Sequence, residues 1–149
     1  MTDEMLRLSL DKFTFLVPEG LYFNDAGVWV RIEDGRARVG LSDFAQQRSG
    51  DIAFATVTSA GTALQPGDEL AGIETVKVNL SLPSPVKGAI VEINTALEQA
   101  AELINQDPYG KGWLAVLELE DWESDRVQLL DANAYLTLVK EQAEAELKT

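Results

Sequence analysis

The reactive side chains of this chain are few, because it contains no cysteine and no histidine. Thiolate nucleophiles, the usual zinc ligand sets and Ser-His-Asp triads are excluded. No side chain titrates near neutrality at its ordinary pKa, so the commonest general acid–base residue is missing. Carboxylates and lysine remain, and neither a catalytic residue nor a metal site is expected. One lysine stands apart by position: Lys77 is the only basic residue from Ser49 to Val86. Its immediate pattern is ordinary. Ile73–Leu82 reads as one continuous strand, with Val76, Val78, Leu80 and Leu82 toward a core and Thr75, Lys77, Asn79 and Ser81 toward water. On that pattern alone, Lys77 is a solvated surface lysine.

The elements that would position this lysine are mostly short strands. Residues 1–20 read as a leader, with a short alternating strand at Phe13, Phe15 and Val17 before Pro18-Glu19-Gly20 turns the chain. Val28, Val30 and Ile32 share one strand face, with Trp29 and Arg31 on the other. Asp34-Gly35 signals a hairpin, and Arg36–Leu41 returns. Ser42 is placed to cap a short helix over Asp43–Ser49, with Gly50 just past its end. Ile52, Phe54 and Thr56 resume strand alternation.

Turn signals at Ala60-Gly61, Pro66-Gly67-Asp68, Pro83-Ser84-Pro85 and Lys87-Gly88 then divide the middle of the chain. Residues 89–93 alternate as a strand. Thr95 and Glu98 have capping-box spacing, so a helical segment is expected near 95–105, carrying Leu97, Ala101 and Ile104. Trp113–Leu119 reads as a strand. Asp131 is placed to cap a C-terminal helix over about 131–147, with Tyr135, Leu138, Val139 and Gln142 on one stripe and a Glu144–Lys148 pair near its end. Trp29, Trp113 and Trp122 are expected to be packing residues, and Gly50, Gly67, Gly88 and Gly112 conformational ones.

The expected fold class is therefore mainly β, a sandwich or barrel decorated with helices, and 1–149 reads as a single domain because no linker divides it. A hydrophobic fraction of 46% against 25% charged residues fits a soluble globular protein. No run of eighteen apolar residues spans a membrane, and the acidic start MTDEM lacks the basic residues of a signal peptide, so a cytoplasmic location is expected. The net charge of −13 would repel nucleic acid and anionic membranes. It serves solubility and would also suit partners with basic patches, in contacts screened over roughly 8 Å at physiological salt.

From about residue 21 to 122 the chain resembles the H protein of the glycine cleavage system. The resemblance is carried in order by Gly40-Leu41-Ser42-Asp43-Phe44-Ala45-Gln46, Gly50-Asp51-Ile52, Gly61, Gly67-Asp68, Glu74-Thr75-Val76-Lys77, Pro85-Val86-Lys87-Gly88, Asn94, Asn105, Asp107-Pro108-Tyr109 and Gly112-Trp113. It implies a flattened β-barrel or barrel-sandwich hybrid, with a modified lysine at an exposed hairpin tip. By resemblance Lys77 is the lipoyl attachment site, in a tight turn at Val76-Lys77 where the residue pattern alone gives unbroken strand. Glu74 is implied in ligase recognition, its alternative being a solvated turn carboxylate. The implied cofactor is covalent lipoic acid, and the protein is a non-catalytic swinging-arm carrier.

Such chemistry needs an exposed amine. At an ordinary lysine pKa of about 10.4 only about one lysine in a thousand is neutral near pH 7.4, so a modifying enzyme must engulf and deprotonate it. The tether then raises the effective concentration of the arm at each docked enzyme, while the cofactor supplies the redox and group-transfer chemistry.

The implied partners are a lipoate-protein ligase or lipoyl transferase, dihydrolipoamide dehydrogenase, and the enzymes the arm visits. A monomer is expected, since a carrier must visit more than one site. Two branches share this chemistry: the glycine cleavage H protein, serving glycine decarboxylase and aminomethyltransferase, and the H-like lipoate-binding protein of a heterodisulfide-reductase-like sulfur oxidation complex. Asp25-Ala26-Gly27-Val28-Trp29, Val78–Pro85, the leader and the tail from Leu129 depart from the usual H-protein pattern. Those departures favour the sulfur-oxidation branch, with glycine cleavage as the alternative. Remoter alternatives are a biotin carrier, whose lysine usually sits between methionines rather than Val76 and Val78, and an unmodified scaffold.

Overall fold

The structure is a computed structural model that describes residues 4–147. The chain opens with an antiparallel hairpin of β1 (Met5–Leu10) and β2 (Phe13–Pro18), turned at Asp11 with φ +56°. There follow β3 (Tyr22–Phe23), β4 (Val28–Glu33), β5 (Arg36–Leu41), helix α1 (Asp43–Ser49), β6 (Ile52–Val57), β7 (Ala63–Leu64), β8 (Glu69–Thr75), β9 (Asn79–Pro83) and β10 (Gly88–Ile93). A 3₁₀ turn (Thr95–Glu98), α2 (Leu103–Gln106), β11 (Ala115–Leu119), α3 (Trp122–Arg126) and α4 (Ala132–Leu147) complete it. The mainly β expectation holds. Six strands pair in the order β3-β4-β5-β11-β10-β7 and three in the order β6-β8-β9.

Two apolar clusters hold these layers. The larger joins the two sheets through Val30, Val39, Leu70, Ile73, Ile90 and Leu117. The smaller lies behind β4, where Phe15, Val17, Phe23, Trp29 and Phe44 meet Tyr135 and Val139 of α4. Strand β4 is therefore covered on both sides: Val28 and Val30 enter the first cluster and Trp29 the second. The Trp29 indole N–H donates to Pro108 O at 3.0 Å, which satisfies its one polar atom. Gly40 faces that ring so closely that a Cβ would meet it at 2.5 Å. Trp113 and Trp122 are half-buried edge residues.

Three local expectations are corrected. The leader is a paired hairpin; Leu6, Leu8 and Leu10 alternate with Arg7 and Ser9, and these leucines pack against the second cluster. The segment near 95–105 splits into a 3₁₀ turn and a four-residue helix, because Asn94 rather than Thr95 is the cap, accepting from the Ala96 N–H at 3.2 Å. The run through Lys77 is not one strand, as described below. At the C-terminus Asp131 does cap α4, accepting from the Ala134 N–H at 2.9 Å. The expected Glu144–Lys148 pair involves a residue outside those described, and Glu144 lies 4.0 Å from Lys140.

Candidate functional site

Strands β8 and β9 pair out to Glu74 and Asn79, and the Thr75 N–H donates to Val78 O at 2.8 Å. Val76 and Lys77 are therefore the two residues of a tight turn. Two-residue hairpins usually need positive φ and hence glycine or asparagine, as at Asp34-Gly35, where φ is +50° and +78°. Val76 and Lys77 are not among the positive-φ residues. Thr75 replaces that device: its hydroxyl oxygen accepts from the Lys77 N–H at 3.2 Å and the Val78 N–H at 3.1 Å. A threonine side chain mimicking a backbone turn is a known local alternative to strand continuation.

The continuous-strand expectation fails here for that reason. Val76 is 96% exposed, and Val78 and Leu80 are also exposed, while Leu82 alone of the four reaches the core. The two signals for this turn in the sequence are the hydroxyl of Thr75 and the family resemblance; hydropathy alternation runs straight through it.

Lys77 is exposed, and its side chain lies back across the end of α1. The crossing point is Gly50, the residue closing that helix with φ +85°, whose notional Cβ would sit 3.3 Å from Lys77 Cε and 3.7 Å from Nζ. Asn105 of α2 fixes this corner. Its side-chain amide donates to Gln46 Oε1 at 2.9 Å and Gly50 O at 3.0 Å, and its carbonyl accepts from the Ile52 N–H at 2.9 Å. Sequence reading assigned Gly50 a conformational role only; its place under the lysine comes from the fold. Glu74 is exposed on β8, cross-strand from Phe54 on one side and Asn79 on the other.

Beside Lys77 opens a cleft of about 360 Å³ between the β1–β2 hairpin, α1 and α4. Its walls are Leu10, Phe13, Phe15, Phe44, Ala143 and Leu147, with Gln47, Arg48 and Glu146 at polar positions. The Arg48 guanidinium lies over the Phe44 ring at 5.4 Å, 3.4 Å from Glu146 and 3.1 Å from Gln142 Oε1. An apolar trough reached from an exposed amine fits a hydrocarbon arm attached to that amine.

The hairpin wall is held by polar bonds at the other end of α1. Asp43 accepts from the Leu16 N–H at 2.9 Å, and the Tyr109 hydroxyl donates to Leu16 O at 2.6 Å while accepting from the Asp43 N–H at 3.0 Å. Burial pushes the Tyr109 phenol well above its ordinary range.

The family model of the glycine cleavage H-protein matches residues 21–142. The chain belongs to that family. Among its relatives, the glycine cleavage system H protein of Coprothermobacter proteolyticus is 44% identical over 106 residues, covering 70% of this chain and 84% of that protein. That of Salinibacter ruber is 42% identical over 118 residues, covering 79% and 94%. The crystal structure of an H protein from Mycobacterium marinum superposes with a TM-score of 0.71 at 29% identity, over 80% of this chain and 95% of that one. The fold is thus the barrel-sandwich of the H proteins. H proteins are non-catalytic carriers with lipoic acid covalently attached to a lysine. The β1–β2 hairpin lies outside the matched stretch, although it forms one wall of the cleft.

Proposed function

We propose that this chain is a single-domain lipoyl carrier of glycine cleavage, with Lys77 as the attachment residue and Glu74 as part of what the modifying enzyme recognises. The observation that carries the attachment is positional. The one cation between Ser49 and Val86 stands exposed on a two-residue turn between paired strands. An activated lipoyl group, an acyl–phosphate anhydride or a thioester, supplied by a lipoate-protein ligase or lipoyl transferase acylates Nζ. The N–C bond forms, the leaving group departs with its electron pair, and a base takes the proton displaced from nitrogen. Attachment removes one positive charge.

When bound, lipoic acid supplies a dithiolane that accepts and hands on a group. The protein's own contribution is a stiff turn that presents the amine and, in the cleft walled by Phe13, Phe15 and Phe44, an apolar surface beside it.

The arm serves glycine decarboxylase and aminomethyltransferase, carrying the aminomethyl group of glycine, and dihydrolipoamide dehydrogenase restores the disulfide. The naming of the relatives supports this order of readings, which reverses the one drawn from sequence. The sulfur-oxidation reading, with its heterodisulfide-reductase-like partner, rests on the departures at Val78–Pro85 and in the flanking segments, and stands second. The carrier is read as cytoplasmic and monomeric. Among the described residues no helix is long and apolar enough to cross a membrane.

The test is glycine–bicarbonate exchange by glycine decarboxylase in the presence of the lipoylated chain. Exchange that depends on the chain is expected. Its absence, with an authentic H protein active in the same assay, would remove the glycine cleavage assignment and leave the sulfur branch.

A further inference from the structure

The outer face of the three-stranded sheet carries a feature that neither folding nor the arm chemistry uses. Phe54 is 65% exposed in the middle of β6. Its cross-strand partner is Glu74, whose own partner on the far side is Asn79, so these three residues share one face. Val76, two residues beyond Glu74, is 96% exposed on the turn itself. A single exposed apolar residue is unremarkable. An exposed ring cross-strand from Glu74, with an exposed valine two residues further on beside the lysine, is a different case, and exposed aromatics are enriched at the centres of protein interfaces.

The electrostatics around these residues are one-sided. Between Asp51 and Pro83 the chain has four carboxylates, Asp51, Asp68, Glu69 and Glu74, all exposed, against one cation, Lys77.

We infer that Phe54 and Val76, rimmed by Asp51 and Glu74, are the footprint on which the enzyme that acylates Lys77 docks, through an apolar socket bordered by basic residues. The inference rests on Lys77 being the attachment residue. Reach decides among the candidate occupants. An enzyme that uses the finished arm reacts at its far end, a whole side chain and cofactor away from the turn. The acylating enzyme must bring an activated acyl group to Nζ itself, so its surface has to close over the residues within a side chain's length of Lys77. Val76 at the tip is one of them, and the Phe54–Glu74 pair continues that surface along the outer face of β6 and β8. On the cleft side of the lysine Arg48 already pairs with Glu146 at 3.4 Å, so that rim offers a basic surface no net negative charge, whereas the outer face carries Asp51 and Glu74.

The experiment uses the full-length chain as substrate for a bacterial lipoate-protein ligase with ATP, magnesium and lipoate, following initial acylation rate against carrier concentration. Phe54→Ser is expected to raise KM about tenfold with kcat within about twofold, as for loss of a typical interface anchor. Asn79→Lys, which places a cation on the same face without touching Phe54, is expected to raise KM as well. Val127→Ser, which removes an equally exposed residue beyond this sheet, should leave KM unchanged. KM within twofold of wild type for both Phe54→Ser and Asn79→Lys, in protein with wild-type circular dichroism, overturns the footprint. A wild-type chain that is never acylated instead overturns the assignment of Lys77.

Discussion

At its N-terminal end, α1 is locked in place. Ser42 caps the helix and bonds the Tyr135 hydroxyl at 2.6 Å, Asp43 and Tyr109 hold both backbone groups of Leu16, and Phe23 stacks on Tyr135 at 4.2 Å. At its C-terminal end, Arg48, Gly50 and Lys77 meet in an open cleft. The side-chain contacts of Arg48 there, to Glu146 and Gln142, are to residues at the solvent edge of α4. The same seven-residue helix thus ties the N-terminal hairpin down at one end and leaves an exposed amine at the other. The contrast separates what makes the site rigid from what makes it reactive: buried polar bonds cost stability when broken, whereas exposed ones contribute little.

The comparison predicts a graded set of losses. Asp43→Ala removes the acceptor for the Leu16 N–H and for two glutamine side chains, Gln46 and Gln47. A loss of about 2–3 kcal/mol is expected in urea unfolding, because carboxylate acceptors are stronger and a half-buried N–H is left unpaired. Gly50→Ala, at the open end, forces a β-carbon onto a φ of +85° and against Lys77 Cε. With ψ at −167° this is a region almost confined to glycine, and the cost should be about 1–2 kcal/mol, the lower part of the range for such strain because the open end can relax, with the lysine still open to acylation. A Gly50→Ala loss exceeding that of Asp43→Ala would break the comparison.

The smallest effect belongs to Tyr135→Phe. It should cost about 1 kcal/mol at neutral pH through the lost Ser42 bond. Burial raises the Tyr135 phenol from 10.0 to about 12, against the lowering effect of its bonded Ser42. A folded-state pKa above the unfolded one favours the native state fully below pH 10, and that advantage is lost as pH rises from 10 to about 12. Stability should therefore fall above pH 10, by at most about 1.4 kcal/mol per pH unit for this group. Tyr135→Phe should show a shallower fall. An alkaline slope identical in the two proteins would remove Tyr135 from the account.

The same contrast governs what the sequence revealed. The locked end is written in local signals. Ser42 as a cap, Val28 and Val30 on the inner face of β4, the Asp34-Gly35 hairpin and Tyr135 with Val139 on α4 each follow from one residue type at one spacing, and the structure agrees with them, while Ile32 is exposed and Leu138 and Gln142 stand at the edge of the α4 stripe. The open end is not. Val78, Leu80 and Leu82 keep strand alternation while the chain turns at Val76-Lys77, because Thr75 makes the turn with its side chain rather than with a positive φ. Family resemblance supplied that turn where hydropathy did not. The β1 strand shows Leu6, Leu8 and Leu10 in clear alternation, yet its burial depends on α4, more than 120 residues away, so its first residues read as a leader. Likewise the Gly50–Lys77 approach and the Phe54–Glu74 pairing exist only once β6 and β8 are in register.

The most direct test of the central claim is the intact mass of the full chain after incubation with lipoate-protein ligase, ATP and lipoate. Wild type should gain a single lipoyl increment and Lys77→Arg none, with the two proteins unfolding at the same temperature. An increment that persists in Lys77→Arg, or a wild-type chain left unmodified by a ligase active on another H protein, would contradict the account.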